Sequence, residues 1–215
     1  MIPVMIVPIL ARPEMLIHMV NSLDHPVGHL VVIDNGADVY GLRHAPCIKK
    51  LSVITMPANQ GVAGSWNLGI KATPFAPWWL IANFDLEWPA GSLQQFADAG
   101  RTDALVLSGG APPWCAFALG EQVVEKVGLF DEALHPGYFE DDDYARRCLA
   151  AGVDVERSHI PVKHFNSSTL TVEKYGARNN ATFSDNASHY GAKVAHDDFS
   201  EGGWSLTRRR ANSWD

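Results

Sequence analysis

Short apolar runs alternate along the chain with stretches whose apolar residues fall three or four positions apart. Residues 4–10, 29–34, 51–55, 78–82, 104–108 and 115–119 read as strands. Several are almost continuous in apolar residues, which suits central parallel strands covered on both faces. Helical patterns lie between them. Residues 13–23 open with Pro13 in a favoured first-turn position. Val62, Trp66 and Ile70 form a stripe with a spacing of four, and shorter helices are expected over 91–99 and 121–127. Residues 139–151 carry Tyr144, Cys148 and Ala151 on one side, and Gly152 is a natural stop. Strand–helix alternation predicts an α/β fold with a mostly parallel central sheet flanked by helices.

The pattern changes after about residue 165. Residues 169–194 are polar and Asn-rich with weak helical periodicity. Residues 202–215 hold Arg208-Arg209-Arg210 and two of the seven tryptophans, as in a tail that covers the core or meets a partner. At 215 residues the chain has room for about 1.4 average domains. The division expected is one domain over residues 1–165 and a helical or irregular extension over 166–215.

Apolar residues make up 47% and charged ones 19%, a globular balance that argues against disorder. The formal net charge is −7, so general nucleic-acid affinity is not expected. The deficit is local, with six acidic residues and no Lys or Arg between Asp131 and Asp143. The apolar runs fall well short of the roughly 20 residues that span a bilayer. The opening MIPVMIVPIL lacks the basic flank of a signal peptide. Three widely spaced cysteines build no disulfide framework or CxxC pair, and a cytoplasmic protein is expected.

In open α/β sheets, ligands bind beyond the carboxyl ends of the strands. Three strands here end in polar or reactive residues. The first runs into Pro8-Ile9-Leu10-Ala11-Arg12, the second into Asp34-Asn35-Gly36, and the fourth into Asn83-Phe84-Asp85. Asp-Asn-Gly alone reads as a turn. Asp85 just past a buried strand could instead sit at the crevice edge, where a hard divalent ion needs carboxylate and phosphate oxygens. The densest segment is Glu140-Asp141-Asp142-Asp143. Acidic residues suit a helix's first turn, which explains one or two of them more readily than four. Packed like charges raise one another's pKa, which prepares a carboxylate to accept a proton.

Five pieces, in order, resemble a glycosyltransferase of family 2 with the GT-A fold. They are Pro8 to Arg12; Val31-Val32-Ile33-Asp34-Asn35-Gly36-Ala37; Asn59-Gln60-Gly61-Val62-Ala63-Gly64-Ser65-Trp66-Asn67-Leu68-Gly69; Asn83-Phe84-Asp85; and Phe130-Asp131-Glu132 followed by Glu140 to Asp143. His164, in Val162-Lys163-His164-Phe165-Asn166, resembles a downstream metal-ligand histidine. Asn186, with Tyr190-Gly191-Ala192-Lys193, resembles a C-terminal helix of the family. Asn83 departs from the fullest form of the fourth motif, which has Asp.

The resemblance implies transfer of a hexosyl or deoxyhexosyl residue from a nucleotide-diphosphate sugar to an acceptor hydroxyl on a glycan, protein or small molecule, with inversion. Asp34 would hold the base, with Pro8 and Arg12 in the same pocket. Asn59, Gly61 and Asn67 would shape the nucleoside site. Asn83 would serve the ribose or a metal-bound water. Asp85 and His164 would hold Mn²⁺ or Mg²⁺ against the diphosphate. Asp141 would be the general base, with Glu140 second. Asp143 has Arg147 four residues on, a natural partner for a surface or structural role. Trp114 could stack on a sugar face or anchor a loop. The C-terminal extension would pack on or near the site. A nucleotidyltransferase would carry a glycine- and lysine-rich loop after the first strand, which residues 9–14 lack. A non-catalytic nucleotide-sugar or carbohydrate-binding module has no evident use for the acidic cluster.

Overall fold

A computed structural model describes residues 1–39, 42, 45–166 and 168–199. Residues 202–215, with the triple arginine and the last two tryptophans, lie outside the described residues. In chain order the first elements are β1 (Ile2–Ile9), α1 (Pro13–Asn21), β2 (Val27–Asp34), β3 (Ile48–Thr55), α2 (Gly61–Ala72) and β4 (Trp78–Ala82). They are followed by β5 (Leu86–Glu87), α3 (Ser92–Ala99), β6 (Leu105–Leu107), β7 (Ala116–Gly120) and α4 (Glu121–Val127). The chain continues through α5 (Glu140–Ala150), β8 (Val155–Arg157), β9 (Lys163–His164) and α6 (Glu173–His196). All six strands expected from the apolar runs are present. The strands β5, β8 and β9 are two or three residues long, too short for an alternation pattern to register.

Seven strands form one sheet in the order β3-β2-β1-β4-β7-β6-β8, and β5 and β9 make a separate ribbon. Strands β1, β2, β3 and β4 pair in parallel, as do β6 and β8. Only β7 runs the other way, antiparallel to both β4 and β6. The link between β6 and β7 is residues 108–115, too short for the crossover that a parallel pair requires.

Alternate residues of β1 feed opposite faces. Met5, Val7 and Ile9 join Leu16 and Met19 of α1 and Leu93 and Phe96 of α3. Val4 and Ile6 join Trp66 and Ile70 of α2, Val123 and Val127 of α4, and Tyr144 and Cys148 of α5. Both faces are therefore dry, which explains the near-continuous apolar reading of β1 and β4. At Gly69 a Cβ would lie 2.5 Å from Ile6 Cγ2, so the glycine lets α2 sit directly on β1. The three cysteines are free. Among the described residues, no helix is long and apolar enough to cross a membrane.

Candidate active site

The chain goes from β1 to β2 and β3 on one side of the sheet and then returns to β4 on the other side of β1. The reversal opens a crevice at the carboxyl ends of β1 and β4. A cavity of about 330 Å³ occupies it, lined at these strand ends by Pro8, Ile9, Asn83 and Asp85.

Asp85 and His164 meet there although they are far apart in sequence. Leu86 of β5 pairs antiparallel with His164 of β9, which seats the histidine beside Asp85. His164 Nε2 lies 3.1 Å from Asp85 Oδ1, and Asn83 Nδ2 is 3.3 Å from the same nitrogen. Ser168 N–H donates to Asp85 Oδ2 at 3.3 Å. Asp85 is 4% exposed. Burial alone would raise its carboxyl, but bonding to His164 and Ser168 outweighs burial and holds it below the ordinary carboxylate range.

The donor chemistry at this point fits a divalent cation. The carboxylate oxygen and the imidazole nitrogen lie 3.1 Å apart, close enough for both to hold one ion. His164 Nδ1 faces Ala111 O at 3.5 Å, on the ring edge away from Asp85. Among the described residues no group of three His, Cys, Asp or Glu side chains converges. Protein side chains would therefore fill only part of such an ion's shell.

The acidic cluster divides by burial. Tyr138 and Phe139 both take positive φ, 76° and 71°, and turn the chain into α5. For bulky residues this is a strained backbone, held by the contacts around it. Glu140 and Asp141 then line the cavity. Glu140 is 8% exposed, and its Oε2 has no hydrogen-bond partner among the described residues. Burial, with the neighbouring Asp141 charge, pushes its carboxyl up to about 8. Burial and Asp142 likewise raise Asp141 above the ordinary range. Asp142 points to solvent. Asp143 is fully buried and pairs with Arg147 at 2.8 Å and Lys193 at 2.5 Å, so it is structural and not a surface residue.

The residues expected on the nucleoside side fall into two groups. Pro8, Asn59 and Gly61 line the cavity. Gly61 has φ +71°, and a Cβ there would lie 2.8 Å from His135 Cδ2 and 3.0 Å from Pro136 O. Val62 N–H donates to Pro136 O at 2.8 Å, which ties the start of α2 to the loop before the acidic cluster. Asp34, Arg12 and Asn67 are absent from the cavity lining among the described residues. The Asp34 carboxylate accepts from Gly36, Ala37 and Val39 N–H at 2.7–3.1 Å and ties its own turn. Arg12 donates to Glu14 at 2.9 Å. Asn67 is buried, accepts from Phe130 N–H at 2.9 Å and donates to Phe130 O and Glu132.

Sequence alone assigns no role to Asn35, Asn166, Thr169, Tyr175 or Arg178, all of which line the cavity. Asn35 also clamps α2, donating to Ser65 Oγ and accepting from Gln60 N–H, both at 2.9 Å. Tyr175 and Arg178 stand three apart on α6, a spacing visible in the sequence, but nothing there said which face would meet the crevice. Trp114 lines the cavity and makes a T-shaped contact with Phe117, ring centroids 4.9 Å apart.

Solved structures share this fold, a mannosyltransferase among them. That one is PcManGT from Pyrobaculum calidifontis, in complex with GDP-Man and Mn²⁺. It is 15% identical at a TM-score of 0.57, over 81% of this chain and 60% of that one. TarS from S. aureus, residues 1–349, is 15% identical at 0.58, over 81% of this chain and 63% of that one. The same protein in complex with UDP-GlcNAc is 15% identical at 0.53, over 78% and 61%. The chain thus spans less than two thirds of these proteins. No protein-family model matches the sequence, and no curated protein matches it significantly.

Proposed function

We propose that the protein is a metal-dependent, inverting glycosyltransferase of family 2 type that uses a nucleotide-diphosphate sugar. The observation that carries this reading is the convergence of Asp85 and His164 with Glu140 and Asp141 on one cavity at the sheet's switch point. The GT-A fold, shared with proteins solved with GDP-Man or UDP-GlcNAc, supports it. Pro8, Asn59 and Gly61 would border the nucleoside. Asp34 and Asn67 would act behind them, one through the turn after β2 and the other by holding α2 to the 130–132 segment.

Asp85 and His164 would hold a divalent cation, which when bound supplies charge neutralisation for the diphosphate. The protein's own residues account for the proton. With its carboxyl pushed up to about 8, Glu140 keeps its proton at neutral pH. Asp141 then bears the negative charge next to a neutral neighbour. Its own raised pKa makes it a better base than an exposed aspartate. Asp141 takes the proton of the acceptor hydroxyl as that oxygen bonds to the anomeric carbon. The bond from that carbon to the diphosphate oxygen breaks, and its electron pair leaves with the nucleoside diphosphate. One displacement inverts the anomeric centre.

Thermal shift with UDP, GDP, UDP-sugars and GDP-sugars, with and without Mn²⁺, tests the donor reading. A true donor at 100 times its dissociation constant should stabilise the fold by about 2.7 kcal/mol. Asp85→Ala should remove the Mn²⁺-dependent part while the variant stays folded. No stabilisation by any nucleotide would count against the whole reading.

A further inference from the structure

The cavity is acidic, yet its proposed ligand is an anion. Asp85, Glu140 and Asp141 all face it, and among the described lining residues Arg178 is the only lysine or arginine. Arg178 stands in the second turn of α6, on the face that also carries Tyr175. It is exposed and makes no ion pair among the described residues, although carboxylates line the same cavity. The segment that leads to it is anchored at the metal-type pair, through His164 and through Ser168 N–H on Asp85.

A diphosphate bridge carries two negative charges, and Asp85 and Asp141 carry one each. A divalent cation offsets two of these four and leaves two. A further negative charge develops on the phosphate that bears the sugar as the glycosidic bond breaks. A guanidinium matches phosphate geometry with two parallel N–H donors, and it stays charged at any working pH. Charge that grows in the transition state is where a preplaced cation stabilises most.

We propose that Arg178 binds the sugar-bearing phosphate of the donor, sharing its developing charge with the cation at Asp85 and His164. This inference rests on the donor reading above. It assigns to α6, outside the central sheet, a direct part in binding the leaving group.

Calorimetry on the full chain tests it, with UDP, GDP, UMP and GMP as probes in the presence of Mn²⁺, for wild type, Arg178→Met and Arg178→Lys. Arg178 is exposed, so an unchanged melting temperature is expected for both variants. Whichever diphosphate the wild type binds should bind Arg178→Met at least about tenfold more weakly, with Arg178→Lys between the two. Binding of the matching monophosphate should change by less than about twofold, since it lacks the second phosphate. Equal weakening of mono- and diphosphate would overturn the assignment in favour of a structural role. Unchanged diphosphate affinity with lost transfer to an anionic acceptor would move Arg178 to the acceptor side and overturn it too. If the wild type binds none of the four probes, the donor reading itself fails and the inference falls with it.

Discussion

Four consecutive carboxylates share one short segment, but their environments give them four different fates. Glu140 is buried with its Oε2 unpartnered among the described residues, Asp141 faces the cavity, Asp142 is solvated, and Asp143 is locked between Arg147 and Lys193. Loss of a general base costs about 10²–10⁴-fold in rate. Asp141→Asn should therefore keep nucleotide and Mn²⁺ binding and lose at least about 10²-fold in sugar transfer. Glu140→Gln should cost less, because an amide resembles the protonated acid it replaces. Steady-state rates measured alongside donor affinity separate the two. Near wild-type transfer by Asp141→Asn would place the base elsewhere. Sequence alone already separated Asp143 from the others through its spacing to Arg147. It could not show that the pair is buried, because burial depends on what α6 brings against it.

At the scale of elements, α6 holds the acidic loop in place. Asn186 donates to Gly137 O at 2.7 Å, and Tyr190 stacks on Phe139 with centroids 5.5 Å apart. Lys193 reaches Asp131 at 2.9 Å and Asp143 at 2.5 Å, and His189 reaches Asp131 at 3.1 Å. These contacts fall on residues before and within α5, where Tyr138 and Phe139 hold a strained backbone. Charged hydrogen bonds of this kind contribute about 1.5–3 kcal/mol. Lys193→Met should destabilise the protein by about that amount in urea melts. It should also speed amide exchange over residues 128–139 while exchange in β1 and β4 stays slow. Protection of the loop equal to wild type would mean that α6 rests on it without holding it.

Across the whole molecule, pH acts on stability from two sides. Burial and Asp141 raise Glu140 to about 8, so the native state keeps a proton that the unfolded chain releases near 4.5. That contribution is complete below about pH 4.5 and is lost as pH climbs to about 8. Asp131 works in the opposite sense. Burial would raise it, but bonds from Lys193 and His189 prevail and lower it from 3.8 to about 2. Its contribution is present above pH 3.8 and disappears as pH falls through about 2. Urea midpoints of the wild type should therefore fall, relative to Glu140→Gln, between about pH 5 and about pH 8. A constant difference between the two across that range would show that Glu140 titrates near its ordinary value.

The chain's apolar periodicities determined the layered α/β plan, because strands dry on both faces and helices dry on one must each write their burial into local sequence. The same was true of Pro8, next to last in its strand, and of Asn83 and Asp85, just past theirs, which can hardly lie anywhere but the crevice. Contacts over long sequence distances were decided by the fold. His164 reaches Asp85 through a ribbon of two-residue strands that leaves no periodic trace. The β7 strand runs antiparallel because its connection is short, whereas its own apolar pattern is the same in either direction. Asp34 and Asn67 carry motif-like spacing, yet the backbone of its own turn takes up the Asp34 carboxylate and the 130–132 segment takes up the Asn67 amide. Arg178 enters the cavity from a polar helix whose weak periodicity gave no buried face to orient it. A burial pattern records which residues leave water, but the partners they meet depend on how distant segments pack.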